Sequence, residues 1–166
     1  MLKKIRLKID TTQREVTGTL FKGDAPIPFS VDNTPQQLSI TIEGSYYDSG
    51  SLIRISYREG ELSGMEGTRT TLTFNKSEPD LITLTRDGAV RTTLVFEKGQ
   101  CHVSAYKTPY MPFEVAVQSE RVENQLEKNG TLLLYYTVEL KGANATKTEF
   151  KLTVLPDAKV PLGVAQ

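Results

Sequence analysis

Apolar and polar residues alternate with a period of two along most of this chain, the spacing of strands that bury one face and wet the other. "TLLLYYTVEL" puts Leu132, Leu134, Tyr136, Val138 and Leu140 on one side and Thr131, Leu133, Tyr135, Thr137 and Glu139 on the other. "SLIRISYRE" sets Ile53, Ile55 and Tyr57 against Arg54, Ser56 and Arg58. "QLSITIEG", "TLTFN", "LITLTR", "TTLVFE", "FEVAVQ" and "FKLTVL" repeat the habit, and "MLKKIRLKID" at the start alternates too. Thr, Val, Ile, Tyr and Phe supply these runs, because branched and flat side chains suit a pleated surface.

Short turn signals separate the runs. Asp87-Gly88, Lys98-Gly99 and Asn129-Gly130 each offer residues that tolerate positive φ, as tight hairpins require. Connections this short join antiparallel neighbours, since parallel strands need long crossovers. From Leu52 to Leu155 the chain therefore reads as one meander. "SERVENQLEKN" is the one helix candidate, and Val122, Asn124 and Leu126 fit a strand extension instead. "KGDAPIPFSVDNTPQQ", rich in Pro, Gly and Asn, reads as a loop between early strands.

A long antiparallel meander must manage its edges, and closure into a barrel removes them. The competing two-layer sandwich of immunoglobulin type favours a core Trp and paired cysteines. This chain has no Trp and a single Cys. The expected fold is all-β: an antiparallel up-and-down β-barrel of eight to ten strands, forming a single domain over residues 1–166. An interior of that size admits side chains or one small ligand.

Composition narrows the function classes. The chain has 166 residues, 38% hydrophobic and 24% charged, as expected of a soluble globular domain that buries about 70% of its unfolded surface. Lys plus Arg and Asp plus Glu both total 20, so there is no basic excess of the kind nucleic-acid modules carry, and no nucleic-acid partner is expected. No apolar run approaches the roughly 20 residues that cross a bilayer as a helix, so no membrane partner is expected either. The start alternates and lacks the apolar core of a signal peptide. One cysteine, Cys101, forbids an intramolecular disulfide and suits a reducing compartment, so the expected location is cytoplasmic.

Between residues 56 and 115 the motifs fall into a familiar order. Tyr57 and Glu59 precede a Gly64–Gly67 turn; Arg86, Gly88 and Arg91 form a hairpin motif; Phe96, Glu97 and Gly99 end a strand; Tyr106, Thr108, Pro109 and Tyr110 make a corner. This series resembles the YwiB-like family of uncharacterised bacterial proteins. The resemblance implies a small cytoplasmic barrel of lipocalin-like, calycin type and leaves the activity open. It departs from the family pattern after Tyr110, where the family's glycine is replaced by Met111 and then Pro112.

The residues that could carry chemistry are few. Cys101 and His102 are adjacent, so on a strand they face opposite ways and cannot form a nucleophile–base pair. Cys101 is expected in the core beside Val103 and Ala105. One His and one Cys do not make a usual zinc set, so neither metal nor cofactor is expected. The glycines of "GELSGMEG" lack phosphate-loop spacing and suit a bulge or barrel corner. No nucleophile elbow supports Ser/His/Asp catalysis, so nothing specifies an enzyme.

With Asp87-Gly88 as a two-residue loop, Arg86 and Arg91 share one face as diagonal neighbours, together with Ile82, Leu84, Thr93, Val95 and Glu97. They then either pair with Glu97, Glu59 or Glu61 on the outside, or meet at the barrel mouth to receive a ligand's carboxylate or phosphate. A three-residue loop would split them. In "AYKTPYMPF" the two prolines cannot donate to a ladder, so the segment is a stiff corner whose Tyr110 seals the core or grips a ligand.

The leading functional expectation is non-catalytic binding of a small amphipathic or anionic ligand in the barrel, with Tyr57, Arg86, Arg91, His102, Tyr106, Tyr110 and Tyr136 as candidate contacts. The alternative is a structural or protein-interaction domain with a filled barrel and a possible homodimer. Apolar residues on both strand faces, such as Leu133 and Tyr135 beside Leu134 and Tyr136, favour that alternative.

Overall fold

The computed structural model describes residues 2–16, 35–60, 66–89, 91–107, 112–140 and 145–155. Ten strands form: β1 Leu2–Val16, β2 Gln36–Asp48, β3 Leu52–Arg58, β4 Arg69–Asn75, β5 Glu78–Asp87, β6 Arg91–Glu97, β7 Cys101–Lys107, β8 Pro112–Gln125, β9 Thr131–Leu140 and β10 Ala145–Val154. Each pairs antiparallel with its neighbour in sequence, and β1 also pairs with β10, which closes the barrel. The up-and-down barrel expected from the alternation is the fold. Gln36 and Gln37, expected at the end of a loop, are the first residues of β2.

The alternation sorts the side chains as the sequence implied. Ile53, Ile55 and Tyr57 face inward, while Arg54 and Arg58 face solvent. Leu7, Ile53, Ile82, Phe96, Leu132 and Leu152 are among the fully buried side chains at the centre. At about 25 cal/mol per Å² of apolar surface removed from water, this interior supplies most of the driving force for folding. Leu133 and Tyr135, on the other face of β9, are half-buried.

Two irregularities set the geometry. The register of β8 against β9 slips between Ser119 and Arg121, a bulge at Glu120. One extra residue reverses the phase of a strand, so Val115 and Val117 are buried before it and Val122 after it. "SERVENQLEKN" is thus strand up to Gln125, as its spacing implied, and turns from Leu126.

The second irregularity is a seam. Among the described residues, β7 pairs with β6 only through Arg91↔Lys107 and Thr92↔Tyr106. Farther along, side chains bridge the strands: Ser104 Oγ donates to the Thr93 carbonyl at 2.6 Å, and His102 Nε2 meets Glu97 Oε1 at 3.0 Å. The outer side of β7 is consequently wet. Cys101, expected in the core, is exposed, as are Val103 at 58% and Ala105. Their alternation was read correctly, but its apolar phase points outward here.

The hairpin at Asp87 also differs from expectation. Asp87 pairs with Arg91 and Arg86 with Thr92, so three residues, 88–90, make the connection rather than two. That single residue turns Arg91 to the opposite face from Arg86. Thr93, Val95 and Glu97 lie on the Arg91 side, not with Arg86.

Candidate functional site

The interior changes character toward one end of the barrel. Consecutive cross-strand partners there run Gly44, Tyr57, Thr70, Arg86, Thr92 and Tyr106 across β2 to β7. A second arc runs Ser119, Tyr136, Thr148, Gln13 and Gln36 across β8, β9, β10, β1 and β2. Where neighbouring layers hold Ile and Leu, this level holds hydroxyls, amides and one guanidinium. The strand pattern extends one step past the end of β3, where Glu59 continues the inward series Ile53, Ile55, Tyr57 and is 6% exposed.

A cavity of 310 Å³ opens between these arcs. Tyr57, Glu59, Arg86, Tyr136 and Thr148 line it from β3, β5, β9 and β10. Thr11, Gln13, Gln36 and Gln37 add polar wall, and Ile9, Leu38, Ile40 and Phe150 add an apolar strip. Its size lies at the lower end of the roughly 300–1,000 Å³ that small-molecule sites span.

The electrostatics of this end are unbalanced by design of the sheet. Glu59 Oε2 and Arg86 Nε are both buried without a hydrogen-bond partner. A buried polar atom left unpaired costs about 1–3 kcal/mol, more when charged, so a pair of them facing one cavity is a conspicuous expense. Burial pushes the Glu59 carboxyl above the usual glutamate range, while Arg86 and Thr70 pull it back. Burial likewise raises the Tyr57 phenol, helped by Glu59 and opposed by Arg86. Tyr136 is raised for the same first reason, with Arg86 and the Thr148 hydroxyl opposing. Both phenols therefore stay neutral donors at physiological pH. Thr70 stands beside Tyr57 and Glu59, yet its hydroxyl completes no hydrogen bond of full geometry. Phe96 packs against Tyr136 with ring centroids 4.6 Å apart and the rings tilted by 57°, an aromatic contact that helps hold that phenol in place.

A family described as Domain of unknown function (DUF1934) matches residues 29–152. The chain belongs to that family. The YwiB-like resemblance carried by its motifs agrees with a solved relative: the crystal structure of YwiB protein from Bacillus subtilis superposes with a TM-score of 0.62 over 93% of this chain and 96% of that one. At 12% identity the likeness is one of fold alone. No curated protein matches the chain.

Of the contacts expected from sequence, this DUF1934 barrel brings Tyr57, Arg86 and Tyr136 together at the cavity. Arg91 is not there: it lies outside, its Nη2 donating to Asp87 Oδ1 at 3.2 Å, four residues back across the hairpin. His102 is not there either, being held by Glu97 at the β6–β7 seam. The Tyr106 backbone lies in register with Thr92 and Phe113. Tyr110 and the corner around it lie outside the described residues. Glu59 is not among the ligand contacts the sequence points to, and neither are Gln13, Gln36 and Gln37, yet all four line the cavity. Counting β3 one step past Tyr57 would have found Glu59; three glutamines carry no comparable signal.

Proposed function

We propose that this protein is a non-catalytic binding module that takes a small amphipathic ligand, polar or anionic at one end, into the Glu59–Arg86 end of its calycin-like barrel, in the cytoplasm. The observation that carries the reading is the pair of opposite charges facing one cavity with their buried Oε2 and Nε atoms unpaired. A ligand that accepts from Arg86 and meets Glu59 removes the cost of leaving them so. The apolar strip from Ile9 to Phe150 suits the other end of such a molecule. Among the described residues, the cavity lining holds no Cys, His, Lys or Ser, which favours binding over nucleophilic chemistry. The exposed single thiol of Cys101 favours a reducing location.

Native mass spectrometry of freshly isolated protein tests the reading. A small-molecule adduct is expected on the wild type and its loss on Arg86→Leu. A wild type that flies bare, or an adduct that survives Arg86→Leu unchanged, contradicts it.

A further inference from the structure

We propose that the cavity takes a small carboxylic acid together with one proton, the ligand carboxylate resting on Arg86 and the proton held between that carboxylate and Glu59. This rests on the binding reading above and adds to it the ligand's chemical class and a dependence on pH.

The argument starts from the charges inside. Among the described residues, Glu59, just past the end of β3, faces Arg86 on β5, with the phenols of Tyr57 and Tyr136 as the other titratable groups of the lining. What β1, β2 and β10 contribute there, Thr11, Gln13, Gln36, Gln37 and Thr148, carries no charge. Among the described residues, one cation and one carboxylate therefore share the empty cavity. A second carboxylate arriving at Arg86 makes two acids around one guanidinium in a site only 6% exposed at Glu59. Two carboxylates that close do not both stay ionised; one binds a proton. Glu59 is predisposed to be that one, since burial already disfavours its charged form. Once protonated, its carboxyl becomes a donor, and the oxygen that had no partner hydrogen-bonds the ligand. The balance is simple: solvent supplies the proton, the Glu59 carboxylate becomes a carboxylic acid, and no bond in the ligand changes. Beyond the charged pair the wall sets three glutamines and Thr11 beside the short apolar strip of Ile9, Leu38, Ile40 and Phe150, which fits a short or ring-bearing acid better than a long lipid chain.

Titration calorimetry with benzoate, cyclohexanecarboxylate and 4-methylpentanoate, and with their uncharged amides, reads this directly. Runs at pH 6, 7 and 8 in phosphate and in Tris separate proton uptake from intrinsic heat. At least one acid is expected to bind with close to one proton taken up, its affinity falling up to about tenfold per pH unit where the empty Glu59 is ionised. Its amide should bind at least tenfold more weakly. Glu59→Gln, whose amide donates without a proton, should bind the same acid with no proton uptake and no pH dependence. Acids that bind without proton uptake, or amides that bind as well as acids, overturn the inference and leave the cavity reading standing. Failure of every acid and amide to bind overturns the inference too; with an Arg86-independent mass-spectrometric result it removes the cavity reading as well.

Discussion

Gly44 offers the sharpest test of how the barrel positions its site. It sits inward on β2, opposite Ile5 on one side and Tyr57 on the other. A Cβ there would lie 2.7 Å from the Ser56 carbonyl oxygen, 2.9 Å from Leu7 Cδ1 and 3.4 Å from Tyr57 Cβ. Carbon atoms pack best at about 3.5–4.0 Å, so two of these three contacts are repulsive. Ser56 O belongs to the sheet backbone, and Leu7 is fully buried in the core. Overpacking of this kind costs about 1–3 kcal/mol. Replacing a strand glycine returns roughly 0.5–1 kcal/mol of unfolded-state entropy. Gly44→Ala should therefore destabilise by about 1 kcal/mol, the middle of the range of about 0–2.5 kcal/mol that those two effects leave. For a chain of this length that central value is a fall in Tm of about 2–4 °C. Differential scanning calorimetry measures it, with Gly60→Ala as the control, since among the described residues a Cβ at Gly60 meets nothing within 4 Å. That control should be neutral or gain about 0.4–1 kcal/mol. A Gly44→Ala protein as stable as the wild type would refute the close approach of β2 to β3 that seats Tyr57.

Two further outcomes follow from the placement of the charges. Because the Glu59 carboxyl titrates above the ordinary glutamate value of 4.5 in the folded barrel, the native state holds a proton that the unfolded chain has released. Wild-type stability should then fall as pH rises from about that value through the folded one, and Glu59→Gln should flatten the fall and be the more stable protein at pH 8; urea unfolding at pH 4 and pH 8 checks this, and a less stable Glu59→Gln at pH 8 contradicts it. Arg91→Ala, which removes only an exposed pair with Asp87, should change stability by less than about 1 kcal/mol and leave ligand adducts intact in native mass spectra.

The fold was legible because period-two alternation survives in nearly every strand, and because so many short hairpins leave an edge that closure removes. The site was legible only in part, and parity is the reason. Arg86 and Arg91 are separated by whether two or three residues bridge Asp87 to its partner, and "RDGAVR" supports either. Cys101, Val103 and Ala105 alternate correctly, yet which phase is buried depends on β7 leaving β6, a tertiary event without a local signature. Glu59 shows the converse. Its phase was fixed by Ile53, Ile55 and Tyr57, but a carboxylate conflicts with an apolar interior, and that conflict is what singles out this end of the barrel as the candidate site.

The most direct measurement is a crystal structure of the protein purified without denaturation or ligand stripping, refined to show the cavity between Glu59 and Arg86. Density for a small molecule touching Arg86 and the Glu59 carboxyl is the predicted result. A direct Glu59–Arg86 ion pair, with protein side chains filling the space between the two arcs, would contradict it.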